Sequence, residues 1–290
     1  MLIEQVVKAA QIAFKSIQET QIYFHEGHYH DIGTNRNLKE TPFDDALAVL
    51  EFVQANGDHA LLFSYACHPT ILHEDHTCYS CDLLGPVFRE LEQDVEVAMF
   101  YNGACGDIST RFTKRASKVE EVERLGALLV EHIQEVRSYQ QSIIAMLQTA
   151  SFTIEAKTRS YASDEDIIAK YHDTAFNENQ QNLLDLYRHM RSYCEGMTLH
   201  IEIRLLQLGS IWYVYVPVEL FSKLSLRLKQ QLPQQHIVCV SYAMDYLSYL
   251  PDADAYQEEP IGFEAVISPF PQGFGEVLID QIAVWIRQRV

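Results

Sequence analysis

The sequence predicts an α/β protein, a mixed β-sheet flanked by helices. Three observations predict it. Apolar runs of strand length alternate with amphipathic stretches of helical period. Two strand pairs turn tightly, at Asn56-Gly57 and at Gly209-Ser210, so some neighbouring strands are antiparallel. The run Val95 to Asn102 is almost continuously apolar, the pattern of a buried central strand.

The elements follow in order. MLIEQVVKAAQIAFKSI carries a helical stripe of Ile3, Val6, Val7, Ala10, Phe14 and Ile17. It lacks the basic start and unbroken apolar stretch of a signal peptide. FHEGHYHDIGTNRN follows, and its His25, His28 and His30 read as a solvated loop. DALAVLEFVQ and HALLFSYAC read as a hairpin, whose second strand stops at Cys67-His68-Pro69-Thr70 because proline cannot donate to a ladder. LLGPVFRELEQ reads as a short helix. VEVAMFYN reads as the central strand and runs into a loop of small residues, Asn102 to Thr110. ASKVEEVERLGALLVEHIQEV is an amphipathic helix.

SFTIEAKT is a strand, and residues 163–195 read as a helical insertion, a helix pair or lid. LHIEIRLLQLG and IWYVYVPVE are strands, the second ending at Pro217 and Glu219. Then come a helix in LFSKLSLRLKQQ, a last strand in HIVCVSYA, a loop rich in Tyr and Asp, and a closing helix in FGEVLIDQIAVWIRQ. There is no internal repeat, and residues 1–290 read as a single domain.

Composition narrows the function classes. The chain has 290 residues, 48% hydrophobic and 11% aromatic, which excludes disorder as its main state. Its 22 basic and 40 acidic residues give a net charge of −18, which repels phosphate backbones and argues against nucleic-acid binding. No apolar run reaches 18 residues, so no transmembrane helix is expected. Six cysteines are too few for a disulfide scaffold. The apolar settings of Cys67, Cys105 and Cys239 favour a reducing compartment, and the cytoplasm is the expected location.

His68, Glu219 and Tyr249 stand at strand ends, where ligands bind in α/β sheets. Histidine and carboxylate at separate strand ends suit a zinc ion with three protein ligands and an open position. Taken singly, His68 reads first as a satisfied core histidine and Glu219 as a helix N-terminal acid. A competing metal site uses Cys78-x-x-Cys81 with Cys67, His68, His73 and His76, but only one Cys-x-x-Cys pair is present.

Six short motifs, in order, resemble the catalytic domain of the neutral/alkaline, non-lysosomal ceramidases. They are Thr34-Asn35-Arg36-Asn37; Cys67-His68-Pro69-Thr70; Ser80-Cys81-Asp82-Leu83-Leu84-Gly85; Asn102 to Ser109; Val216-Pro217-Val218-Glu219; and Tyr249-Leu250-Pro251 with Tyr256 and Gly262-Phe263-Glu264. The resemblance implies zinc ligands at His68, Glu219 and Tyr249, catalytic roles for Ser109, Arg36 and Asp107, and substrate contacts at Asn102, Gly103, Tyr256 and Phe263. It implies a zinc-dependent amidase that cleaves an N-acyl amide, ceramide-like or smaller, with metal-activated water.

The family's His-x-His segment, upstream of the first helix here, has no counterpart, nor has its C-terminal immunoglobulin-like domain. Phe263 stands where the family usually has tyrosine, and Cys81 where it has glycine. The chain therefore reads as N-terminally truncated, with a separate N-terminal segment as a candidate partner that supplies further ligands. The alternative is a non-catalytic remnant, or one half of a split enzyme.

Overall fold

The computed structural model describes residues 2–138, 142–143, 146–170, 178–258 and 261–289. The first half of the chain runs α1 (Leu2–Lys15), β1 (Thr20–His28), β2 (Thr34–Asn35), β3 (Ala46–Gln54), β4 (His59–Tyr65), α2 (Leu84–Leu91), β5 (Val97–Asn102), β6 (Ile108–Ser109), α3 (Val119–Arg137) and β7 (Ser142–Ile143). The second half runs β8 (Leu147–Lys157), α4 (Asp164–Lys170), α5 (Glu178–Cys194), β9 (Thr198–Leu208), β10 (Ile211–Tyr215), β11 (Glu219–Leu220), α6 (Ser222–Gln231), β12 (His236–Val240), β13 (Tyr249–Leu250), α7 (Phe263–Ile267) and α8 (Phe274–Arg287).

Period-two alternation along the strands sends successive side chains to opposite faces, and this splits the core into layers. One sheet has the order β5-β4-β3-β1-β7 and the other β12-β10-β9-β8. Leu47, Val49, Leu61 and Phe63 pack outward against α2 and α3, with Val87, Leu125 and Leu129. Their neighbours Ala48, Leu50 and Leu62 turn inward and meet Ile211, Tyr213, Val238 and Val240 of the second sheet. That sheet sends Trp212, Val214, Ile237 and Cys239 to its far side, against Leu224 and Leu228 of α6 and Leu278 and Ile282 of α8. The result is a helix–sheet–sheet–helix stack, in which two mixed sheets stand where one was expected.

Three other expectations change. The His-rich stretch is largely strand, not loop: β1 pairs antiparallel with β3 over nine positions, from Thr20↔Gln54 to His28↔Ala46. Ile22 and Phe24 supply its inward face, and the intervening histidines masked that alternation. VEVAMFYN forms β5, an edge strand rather than a central one, with Val97 46% and Met99 48% exposed. Apolar composition alone does not say whether both faces are covered. The short strand β13 lies inside the stretch read as loop after β12, and α7 lies between that loop and the closing helix. The first helix forms as expected, with its apolar stripe facing outward; Ile3 is 78% and Phe14 77% exposed.

The expected helical stretch contains α4 and α5, joined by ion pairs of Asp164 to Arg188 and Arg191 at 2.7 and 3.2 Å. Residues 171–177 of that stretch lie outside the described residues. No helix among the described residues is long and apolar enough to cross a membrane.

One buried ion cluster makes a stability prediction. Glu51 of β3 is 5% exposed. It accepts from Arg137 Nη2 at 2.6 Å and lies 3.0 Å from His59 Nδ1 and 3.4 Å from His25 Nε2. Burial alone would raise its pKa, but Arg137 and His59 outweigh burial and lower it. A carboxyl lowered in the folded state adds stability above its unfolded pKa, and that stability is lost as pH falls through the folded value. Arg137→Ala should therefore destabilise the protein by about 3–5 kcal/mol near pH 7, since it strands a buried charge. The deficit should shrink as pH falls below about 4, through the lowered folded value, where the carboxyl is protonated in the folded state as well. Urea melts at about pH 7 and about pH 3 check this; an equal loss at both would refute it.

Candidate active site

Two very short sheets carry the site. β2 and β6 pair antiparallel, setting Thr34 opposite Ser109, and His68 forms a bridge to Ser109. β11 and β13 pair parallel, setting Glu219 opposite Tyr249. The segment between Gly103 and Ser109 ties these pairs together. A Cβ at Gly106 would lie 2.6 Å from the Glu219 carbonyl oxygen, so only glycine lets this loop reach β11. Gly106 N–H donates to Leu220 C=O at 2.9 Å.

His68, Glu219 and Tyr249 come together. His68 Nε2 is 2.6 Å from Glu219 Oε2, and His68 Nδ1 is 3.1 Å from Ile108 C=O. Both ring nitrogens thus face acceptors, an arrangement that favours the protonated ring while no metal is bound. Burial alone would lower the His68 pKa; Cys105 and Glu219 outweigh it and push it up to about 10. Glu219 is raised by burial and lowered by His68 and by Tyr246, with a net shift downward. Tyr246 donates to Glu219 Oε1 at 2.6 Å, which leaves Oε2 turned to His68. The Tyr249 hydroxyl lies beside the same carboxylate; burial pushes its pKa up to about 12 against the opposing pull of Arg36.

Arg36 is anchored from three sides. Its Nη2 donates to Gly106 C=O at 2.9 Å and to the Tyr249 hydroxyl at 3.4 Å. Its Nε lies 2.5 Å from Glu264 Oε1, an ion pair without hydrogen-bond alignment. Ser109 is 4% exposed, and its Oγ accepts the Arg111 N–H at 3.2 Å. Its own O–H therefore remains free to donate.

Beside these groups opens a cavity of about 770 Å³, walled by Arg36, Arg111, Tyr249, Glu258, Ile261 and Phe263, among others. Its size suits a small organic ligand. Phe263 stands edge-on to Tyr249, with ring centroids 6.4 Å apart.

Four expected site residues do other work. Asp107 accepts from Asn35 Nδ2 at 2.6 Å through one oxygen and from Ser222 N–H at 2.8 Å through the other. Each oxygen thus takes a contact that ties β2 and α6 to this loop, which gives Asp107 a positioning role. Asn102 clamps Cys67, accepting from its N–H at 3.2 Å and donating to its C=O at 3.1 Å. Gly103 gives no space to substrate, because a Cβ there would lie 3.2 Å from the Ala66 backbone. Tyr256 belongs to a second cavity, with Arg159 and Tyr187, and its hydroxyl bonds Ser268 Oγ and Phe270 C=O at 2.9 Å each.

Sequence reasoning missed the roles of Tyr246, Arg111, Glu258 and Glu264. Glu264 alone carried a signal, as the carboxylate ending the last motif. Cys78 and Cys81 are exposed free thiols. Among the described residues, no group of three His, Cys, Asp or Glu side chains is arranged to hold a metal ion.

No family model and no curated protein matches the chain. Solved structures do, and two of them are described. One is neutral ceramidase from Pseudomonas aeruginosa, with a TM-score of 0.74 and 16% identity over 99% of this chain and 55% of that one. The chain has the neutral ceramidase fold. The other is a ceramidase complexed with C2, with a TM-score of 0.71 and 15% identity over 97% of this chain and 55% of that one. The ceramidase-like chain thus spans about half the length of the structures it matches. At such identity the likeness establishes architecture, and chemistry has to be argued from side chains.

Proposed function

We propose that this ceramidase-like chain is a hydrolase that cleaves an N-acyl amide, with a zinc ion at His68, Glu219 and Tyr249. The observation that carries the reading is the meeting of His68 Nε2 and Glu219 Oε2 at 2.6 Å, with the Tyr249 hydroxyl beside them, next to a ligand-sized cavity. The two solved structures described above are ceramidases, which supports an amide as substrate.

The donor set suits zinc in kind. His68 Nδ1–H points at the Ile108 carbonyl, which orients the ring and leaves Nε2 as the ligating nitrogen. Tyr246 fixes one oxygen of Glu219 and leaves the other as the donor. Bound there, zinc polarises the amide carbonyl and lowers the pKa of water toward ~7.

The chain's own residues do the rest. Ser109, whose hydroxyl oxygen accepts the Arg111 N–H, donates its own proton to the oxygen on which charge develops. Arg36 is neutralised by Glu264 and acts on Tyr249, holding the phenol oxygen toward Glu219. Phe263, Leu38 and Ile261 give the cavity its apolar wall.

Incubating the purified chain with a fluorogenic N-dodecanoyl amide tests this. Turnover should disappear with a chelator and return with added zinc. Persistent turnover in metal-free protein, or none in zinc-supplemented protein, would overturn the reading.

A further inference from the structure

The cavity wall holds two cations, and among the described residues Arg111 is the one without a carboxylate partner. Arg36 is paired with Glu264. Burial, Asp252 and Glu264 raise the pKa of Glu258, and Lys223 opposes them as its nearby counter-charge. Arg111 differs. It donates through Nη1 to the Arg36 carbonyl oxygen at 3.1 Å, and its guanidinium lies 5.4 Å from the Phe112 ring centroid. Among the described residues, no carboxylate pairs with it. In a chain with 40 acidic and 22 basic residues, that is a choice against abundant supply.

The backbone fixes where this cation stands. Arg111 is two residues beyond Ser109, and its N–H is bonded to the Ser109 hydroxyl. The guanidinium is also bonded to the backbone of Arg36, which itself holds Tyr249. Its free donors thus open into the cavity at a set position relative to the reacting centre.

A neutral amide bound here would strip water from this guanidinium and offer no charge in return. A carboxylate fits its planar fork with two parallel hydrogen bonds. A net charge of −18 keeps anions away from most of the surface, so a lone cation in a cavity gathers them locally. Resting on the reading of the site as an amidase, we propose that Arg111 selects amides that carry a carboxylate on the amine half, the chemistry of an N-acyl amino acid. The acyl chain lies along Leu38, Ile261 and Phe263, and Arg111 takes the carboxylate.

The test compares N-dodecanoylglycine with N-dodecanoylethanolamine, which share the acyl chain and the amide and differ in charge. Binding to the full chain is measured calorimetrically below micellar concentrations. The acid should bind roughly ten- to a hundred-fold more tightly, the range for a hydrogen bond to a charged group. Arg111→Ala should erase the preference, and Arg111→Lys should restore part of it. Equal binding of both compounds, or a preference that survives Arg111→Ala, would overturn the proposal. So would dodecanoate that binds as well as N-dodecanoylglycine with the same dependence on Arg111, because the carboxylate would then belong to the acyl half. The amidase reading fails separately: if zinc-supplied protein cleaves neither compound while the Arg111-dependent preference stands, recognition survives and the hydrolysis does not.

Discussion

Ser109→Ala should lower turnover of an N-acyl amide by about two to three orders of magnitude, the usual effect of deleting one oxyanion donor. The Ser109 hydroxyl oxygen accepts the Arg111 N–H at 3.2 Å. Among the described residues its own proton has no acceptor, so it is available to an oxygen that gains charge. The position is rigid: Ser109 is buried, pairs with Thr34, and bridges to His68. An interaction made only as charge develops lowers kcat and leaves KM nearly unchanged. Alanine removes the hydroxyl alone, and backbone pairing continues without it, so the melting temperature should hold within a few degrees. A variant with wild-type kcat would remove Ser109 from the chemistry. A fall in KM and kcat with partial unfolding would make it structural.

How much of this was legible depends on how local each signal is. His68, Ser109, Glu219 and Tyr249 end apolar runs or follow them directly, so chain order alone places them at strand ends. Their partners are less visible. Arg36 meets Glu264, and Asn35 meets Asp107, across most of the fold. No local pattern marks those contacts. The same limit applies to Asn102 and Gly103, whose contacts with Cys67 and Ala66 no local pattern marks. A glycine in a loop reads as room for a ligand, but at Gly106 the space is filled by the β11 backbone. In β1, two histidines, His25 and His28, hid a strand whose inward face is Ile22 and Phe24. Charge balance was legible in total and not in place, so the unanswered cation at Arg111 came into view only with its surroundings.

Zinc should bind this chain weakly at neutral pH and more tightly as pH rises. The ligand set is one imidazole, one carboxylate and one phenol, poorer in nitrogen and sulfur than the sites from which zinc draws its tightest binding. Two of the three hold protons that the metal must displace. His68 carries one on Nε2 against Glu219, with a pKa pushed up to about 10. Tyr249 holds its own to about pH 12. Below those values, each proton released makes the apparent affinity rise about tenfold per pH unit. Between pH 6 and pH 7.5 the slope should therefore lie between one and two powers of ten per unit, one if the phenol stays protonated and two if it ionises. At pH 7 the dissociation constant should be about micromolar or weaker, well short of the roughly 10–16 kcal/mol of structural zinc sites. His68→Ala should abolish the steep part of the slope as well as most of the binding. Calorimetric titration at several pH values in two buffers of different ionisation heat counts the protons directly. Nanomolar binding without proton release would mean that the metal sits on other groups, and the assignment of His68 and Tyr249 as ligands would be wrong.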